Sequence, residues 1–91
     1  MAGVGAISVS VNGYATVVNQ NPNRSHLWLQ NMSTNGQIIY LVTGTGPIGN
    51  PVYKQGIRLN PNGGMWETTG IGWVVATSST SPAGLVIGWE A

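Results

Sequence analysis

Apolar residues fall at every second position in several short stretches of this chain. No window repeats them at the three- and four-residue spacing of a helix face. Ile7, Val9 and Val11 alternate with Ser8 and Ser10. Asn12-Gly13 carries a turn signal, after which Tyr14 to Val18 reads as a second short strand. From Asn21 to Gly44 the pattern predicts two strands joined by a polar turn. Leu27 and Leu29 share one face of the first, and His26, Trp28 and Gln30 share the other. Thr34, Asn35 and Gly36 supply residues tolerant of turn backbone angles. The next strand, Ile38 to Val42, is apolar on both faces, as expected of a central strand between two covering layers.

Gly44 to Pro51 holds three Gly and two Pro in eight residues and reads as a loop. Val52 to Leu59 resumes as a strand, and Asn60-Pro61-Asn62-Gly63-Gly64 predicts a turn placing Met65 to Thr69 antiparallel to it. Ile71, Trp73 and Val75 alternate with Gly72, Val74 and Ala76; after a polar loop over Ser78 to Gly84, Leu85, Ile87 and Trp89 close the chain with period two. The expectation is an all-β fold: a small antiparallel β-sandwich or barrel of about seven or eight short strands. Residues 1–6, small and Gly-rich, read as a flexible arm, and residues 7–91 as a single β domain.

Charge changes this picture. Arg24, Lys54, Arg58, Glu67 and Glu90 are the only charged residues among 91, which is 5% against about 25% in an ordinary domain. A free monomer usually keeps itself soluble with charge of both signs. A surface so neutral therefore points to coverage by other subunits, since interface cores are depleted in charge. No basic run marks a nucleic-acid partner. The first 23 residues lack Lys and Arg and no long apolar run follows, so neither a secretory signal nor a membrane span is expected.

Candidate chemistry is sparse. Gly44-Thr45-Gly46-Pro47-Ile48-Gly49 matches G-x-G-x-x-G, but the dinucleotide fingerprint needs a helix start where Asn50-Pro51 stands. His26 is the only imidazole, and no nucleophile elbow accompanies it. One His and two carboxylates make a metal site unexpected. Glu67 and Glu90 form the one conceivable acid/base pair of a glycosidase; the simpler reading is two solvated strand-edge charges. Asn31-Met32-Ser33 is a chance glycosylation sequon. No cofactor and no catalytic residue is expected. Trp73 and Trp89 share faces with Ile or Leu neighbours and read as core. Trp28 and Trp66 fall outside the clearest apolar faces and read as interface anchors. Candidate interface residues are Trp28, His26, Gln30, Trp66, Tyr53 and, in the arm, Val4 and Ala6.

The runs Asn23-Arg24-Ser25-His26-Leu27-Trp28-Leu29-Gln30-Asn31, Ile39-Tyr40-Leu41 and Gly56-Ile57-Arg58-Leu59-Asn60-Pro61-Asn62-Gly63 resemble small all-β virion proteins of tailed bacteriophages. The likeness covers roughly residues 21–77. It departs from the pattern after the Pro-Gly turn, where Gly64-Met65 stand in place of an acidic residue. The resemblance implies a non-enzymatic capsid decoration (cement) protein on the capsid exterior, or a head-fibre or tail component. The implied partner is the major capsid protein, and the implied assembly a homo-oligomer, most simply a trimer on threefold lattice positions. The alternative is a carbohydrate-binding module or receptor-contacting component of a tail or spike, with Trp28, Trp66 and Tyr53 as stacking platforms.

Overall fold

The computed structural model describes residues 5–44, 54–79 and 82–91. Within them the chain forms eight strands and no helix. They are β1 (Gly5–Val11), β2 (Tyr14–Val18), β3 (Leu27–Asn31), β4 (Ile39–Gly44), β5 (Ile57–Leu59), β6 (Gly64–Thr68), β7 (Trp73–Thr77) and β8 (Gly84–Glu90). Two four-stranded sheets pack as a sandwich, the first in the order β1-β8-β3-β6 and the second β2-β7-β4-β5. All pairings are antiparallel.

The pairs β1·β8, β2·β7, β3·β6 and β4·β5 are those of one long antiparallel ribbon folded back on itself. Wrapping the ribbon adds β3·β8 and β4·β7. This is the jelly roll, eight strands in two interlocked Greek keys.

The topology corrects one sequence expectation. The turns at 12–13, 34–36 and 60–64 do not close hydrogen-bonded hairpins. β1 and β2, β3 and β4, and β5 and β6 each lie in opposite sheets, so these turns are corners that carry the chain across the sandwich. Gly13 (φ 88°), Gly36 (φ 84°), Asn62 (φ 63°) and Gly63 (φ 118°) supply the positive φ the corners need. The strand expected over Val52 to Leu59 is shorter, beginning at Ile57. Gly5 and Ala6, read as the end of an arm, open β1 opposite Glu90 and Trp89. Residues 1–4, Val4 among them, lie outside the described residues, as do 45–53 with Tyr53.

Leu27, Leu29, Val11 and Val86 of the first sheet meet Ile39, Leu41, Leu59, Val74 and Ala76 of the second in a single apolar core. β4 is an inner strand of its sheet: Ile39 and Leu41 point into the core, while on the outer face Tyr40 is buried and Val42 half-buried.

The two ends of the sandwich are tied differently. At one end the 12–13, 32–38 and 60–63 connections meet the Ser78 and Pro82–Ala83 region through neutral groups. The buried Asn31 amide donates to the carbonyls of Gln37 and Leu59, both at 2.9 Å, and its oxygen accepts from Ser33 N–H at 3.0 Å. Ser78 Oγ donates to Val11 O at 2.8 Å, Asn35 Nδ2 to Ala83 O at 2.8 Å, and Gln37 Nε2 to Ser79 Oγ and Pro82 O. At the opposite end one cation gathers the chain. Arg24, its side chain fully buried, binds Glu90 Oε2 through Nε at 2.8 Å. Its Nη1 donates to Gly70 O and Gly72 O at 2.9 and 3.0 Å, and its Nη2 to Asn19 O at 2.8 Å. Glu90 is therefore the partner of a buried ion pair, where the sequence had suggested a solvated edge charge.

Candidate functional site

The outer face of the first sheet carries the most distinctive surface among the described residues. Because β3 turns Leu27 and Leu29 inward, Trp28 and Gln30 face out. Register fixes their neighbours. One row across the sheet reads Ala6, Trp89, Trp28, Glu67, and the next reads Ser8, Ile87, Gln30, Met65. Ser10 and Leu85 begin a third row. Met32, just past β3, donates its N–H to Leu85 O at 2.9 Å. Directly opposed residues hold their Cβ atoms about 5 Å apart, so Trp28 and Trp89 stand side by side. Trp89 is 44% exposed and Met65 54%, with Leu85 and Met32 also open. Glu67 and His26 mark one border, with His26 Nε2 3.6 Å from Glu67 Oε2 and both side chains about half exposed.

The sequence-derived candidates separate accordingly. Trp28, Gln30, His26 and Ala6 belong to this sheet face and its margin, and Gln30 also anchors the β5–β6 corner by donating to Gly63 O at 3.1 Å. Trp66 does not join them. It pairs with inward-facing Leu29 and packs against the core. Trp28 and Trp66 thus lie on opposite faces of the sheet and cannot serve one stacking platform.

Trp89 was expected in the core and is exposed instead. The inner face of β8 is Gly84, Val86 and Gly88. A Cβ on Gly88 would lie 2.1 Å from Trp28 O and 2.8 Å from Leu29 Cδ2, and one on Gly84 2.6 Å from Ile39 Cδ1. Either side of Val86 the core face of β8 is bare, so that Leu29 of neighbouring β3 and Ile39 of the opposite sheet fill the space, and the large residues Leu85, Ile87 and Trp89 fall on the other side.

A second feature is a cleft of about 250 Å3 at the Arg24 end, lined by Trp66, Trp73, Thr43, Thr68 and Ile71 among others. Arg24 borders it with its guanidinium committed to protein acceptors. Trp73 is half-buried here, at the end of β7, where it had been expected in the core.

The two carboxylates do not come together. Glu67 shares the outer side of the first sheet with Trp28, whereas Glu90 pairs with core-facing Leu27 and turns inward to Arg24. Of the G-x-G-x-x-G run only Gly44, the last residue of β4, lies among the described residues, and the next described element is β5. The sequon's Asn31 is fully buried with its amide committed to protein partners. Among the described residues no group of three or more His, Cys, Asp or Glu could hold a metal ion. No family model, no curated protein and no solved structure matches this chain.

Proposed function

We propose that this protein is a non-enzymatic virion component that coats a phage head, seating the outer face of its first sheet on the major capsid protein. The observation that carries this reading is the outward pair Trp28–Trp89 with Ile87, Leu85, Met65 and Met32 around it. Contiguous exposed apolar surface rimmed by polar groups is the mark of a protein-binding site. Two adjacent tryptophans suit the anchor role that aromatic residues hold at interface centres. The jelly roll recurs in viral capsid and lectin domains and in cupins. A fold hosts many functions, so the weight rests on the face and on the sequence likeness. Glu67 alone brings full charge to this face, and binding to the shell should depend only weakly on salt.

The mechanism is linkage. A protein that binds only the assembled shell stabilises it by RT ln(1 + [L]/Kd), about 2.7 kcal/mol per site at a hundredfold excess over Kd. The test is to strip the protein from particles, measure their thermal resistance, and add back wild-type, Trp28→Ala or Trp89→Ala protein. Wild type should restore resistance. Each folded variant should bind more weakly by roughly 2–4 kcal/mol. Particles equally resistant without the protein would end this reading.

The cleft between Trp66 and Trp73 favours a second reading, a glycan site in which an indole stacks on a sugar ring. Retention on host glycans, abolished by Trp73→Ala and untouched by Trp89→Ala, would establish it.

A further inference from the structure

Each sheet has two edges, and an unpaired edge offers a row of backbone N–H and C=O groups to any passing strand. Proteins blunt such edges with charge, shortness or bulges. Three of the four edges here carry such a device. β6 bears the exposed Glu67. β5 is three residues long and bears the exposed Arg58. β2 breaks its register between Thr16 and Val18.

The fourth, β1, carries none. It is seven residues long, has no charge and no proline, and keeps unbroken register with β8 from Gly5↔Glu90 to Val11↔Gly84. No strand among the described residues pairs on its far side.

We propose that β1 pairs antiparallel with β1 of a second copy of this chain, joining the first sheets of two molecules into one continuous sheet. The sequence of β1 is self-complementary about Ser8. A twofold axis there sets Ser8 against its own mate and Ala6 against Ser10, all exposed and small. On the other side it sets half-buried Ile7 against Val9, so branched aliphatics meet branched aliphatics. No charge opposes a charge, and backbone hydrogen bonds supply the affinity that a charge-poor surface lacks. The small outward residues of β1 leave the Leu85–Ile87–Trp89 line of each copy unobstructed. Edge pairing about a twofold is isologous and closes at two chains, unlike the threefold arrangement implied by the phage likeness. The inference stands apart from the shell-binding reading.

The test is sedimentation velocity on the wild-type chain, on Ala6→Lys/Ser8→Lys/Ser10→Lys, and on the matching triple Glu variant. All three positions are exposed, so the fold should hold, as near-ultraviolet dichroism will check. Wild type should sediment as a dimer. Each like-charge row across the axis weakens pairing, so the Lys and Glu variants should each dissociate at roughly tenfold or higher concentration. Mixing the two variants should restore the dimer. A monomeric wild type at high micromolar concentration would overturn the proposal. So would a trimer, or a dimer insensitive to the Lys variant and lost with Trp89→Ala, which would place association on the sheet face.

Discussion

The two ends of the sandwich solve one problem with opposite chemistry. At each, connections cross between sheets and leave backbone groups without ladder partners, which must be satisfied if buried. The Asn31 end spreads the work over neutral side chains: Asn31, Ser33, Asn35, Gln37 and Ser78 each hold between one and three backbone groups. The Arg24 end concentrates it, one guanidinium serving three carbonyls and one carboxylate. A distributed network loses its members singly, whereas a concentrated one fails at a single residue. The chain spends two of its five charges on that point.

Arg24→Met tests the concentrated end and should have the largest effect. It strands the largely buried Glu90 carboxylate and unpairs the carbonyls of Asn19, Gly70 and Gly72, costing about 3–5 kcal/mol. Urea unfolding monitored by tryptophan fluorescence measures it. Adding Glu90→Leu should recover only part of the loss, because the carbonyls remain without donors. Full recovery would mean that the ion pair, and not the carbonyl gathering, is what matters at this end.

At the distributed end Asn31→Ala should cost less, about 2–3 kcal/mol, since it leaves two carbonyls and the Ser33 N–H unmet in a buried site. Ser78→Ala should cost about 1 kcal/mol, the worth of an ordinary hydrogen bond. If Ser78→Ala equalled Arg24→Met, the contrast between the ends would collapse. The smallest expected effect is that of salt. A pair whose cation is buried is screened little, so the destabilisation caused by Arg24→Met should be nearly the same at low and high ionic strength.

Strand positions were legible in the sequence because period-two alternation is local: β1, β2, β3 and β7 lie close to where it predicts them. Partnership was not. Asn12-Gly13 and Asn62-Gly63 look the same whether the chain returns beside itself or turns to the opposite sheet, and here it changes sheet. The face of β8 was inverted because alternation counts side chains, while glycines at 84 and 88 occupy the core side by having none. Trp28 on the outer face followed from the parity of Leu27 and Leu29, but its neighbour Trp89 was hidden by that inversion. Arg24 and Glu90 stand 66 positions apart, and nothing local announces their bond. The only available signal was rarity, since a chain with five charges seldom leaves one idle.

The order of strands has a consequence for the chain while it is being made. β8 lies between β1 and β3, and β7 between β2 and β4, so one inner strand of each sheet is made after all the others of that sheet. A nascent chain can bring β3 to β6 and β4 to β5, but β1 and β2 must wait for β8 and β7, the last strands of the domain to be made. Neither sheet can close before β7 and β8 are available, and the wide sequence separation of the contacts makes folding slow. During that wait the uncharged edge of β1 is at its most exposed, and neighbouring ribosomes on one message would hold many such strands close together.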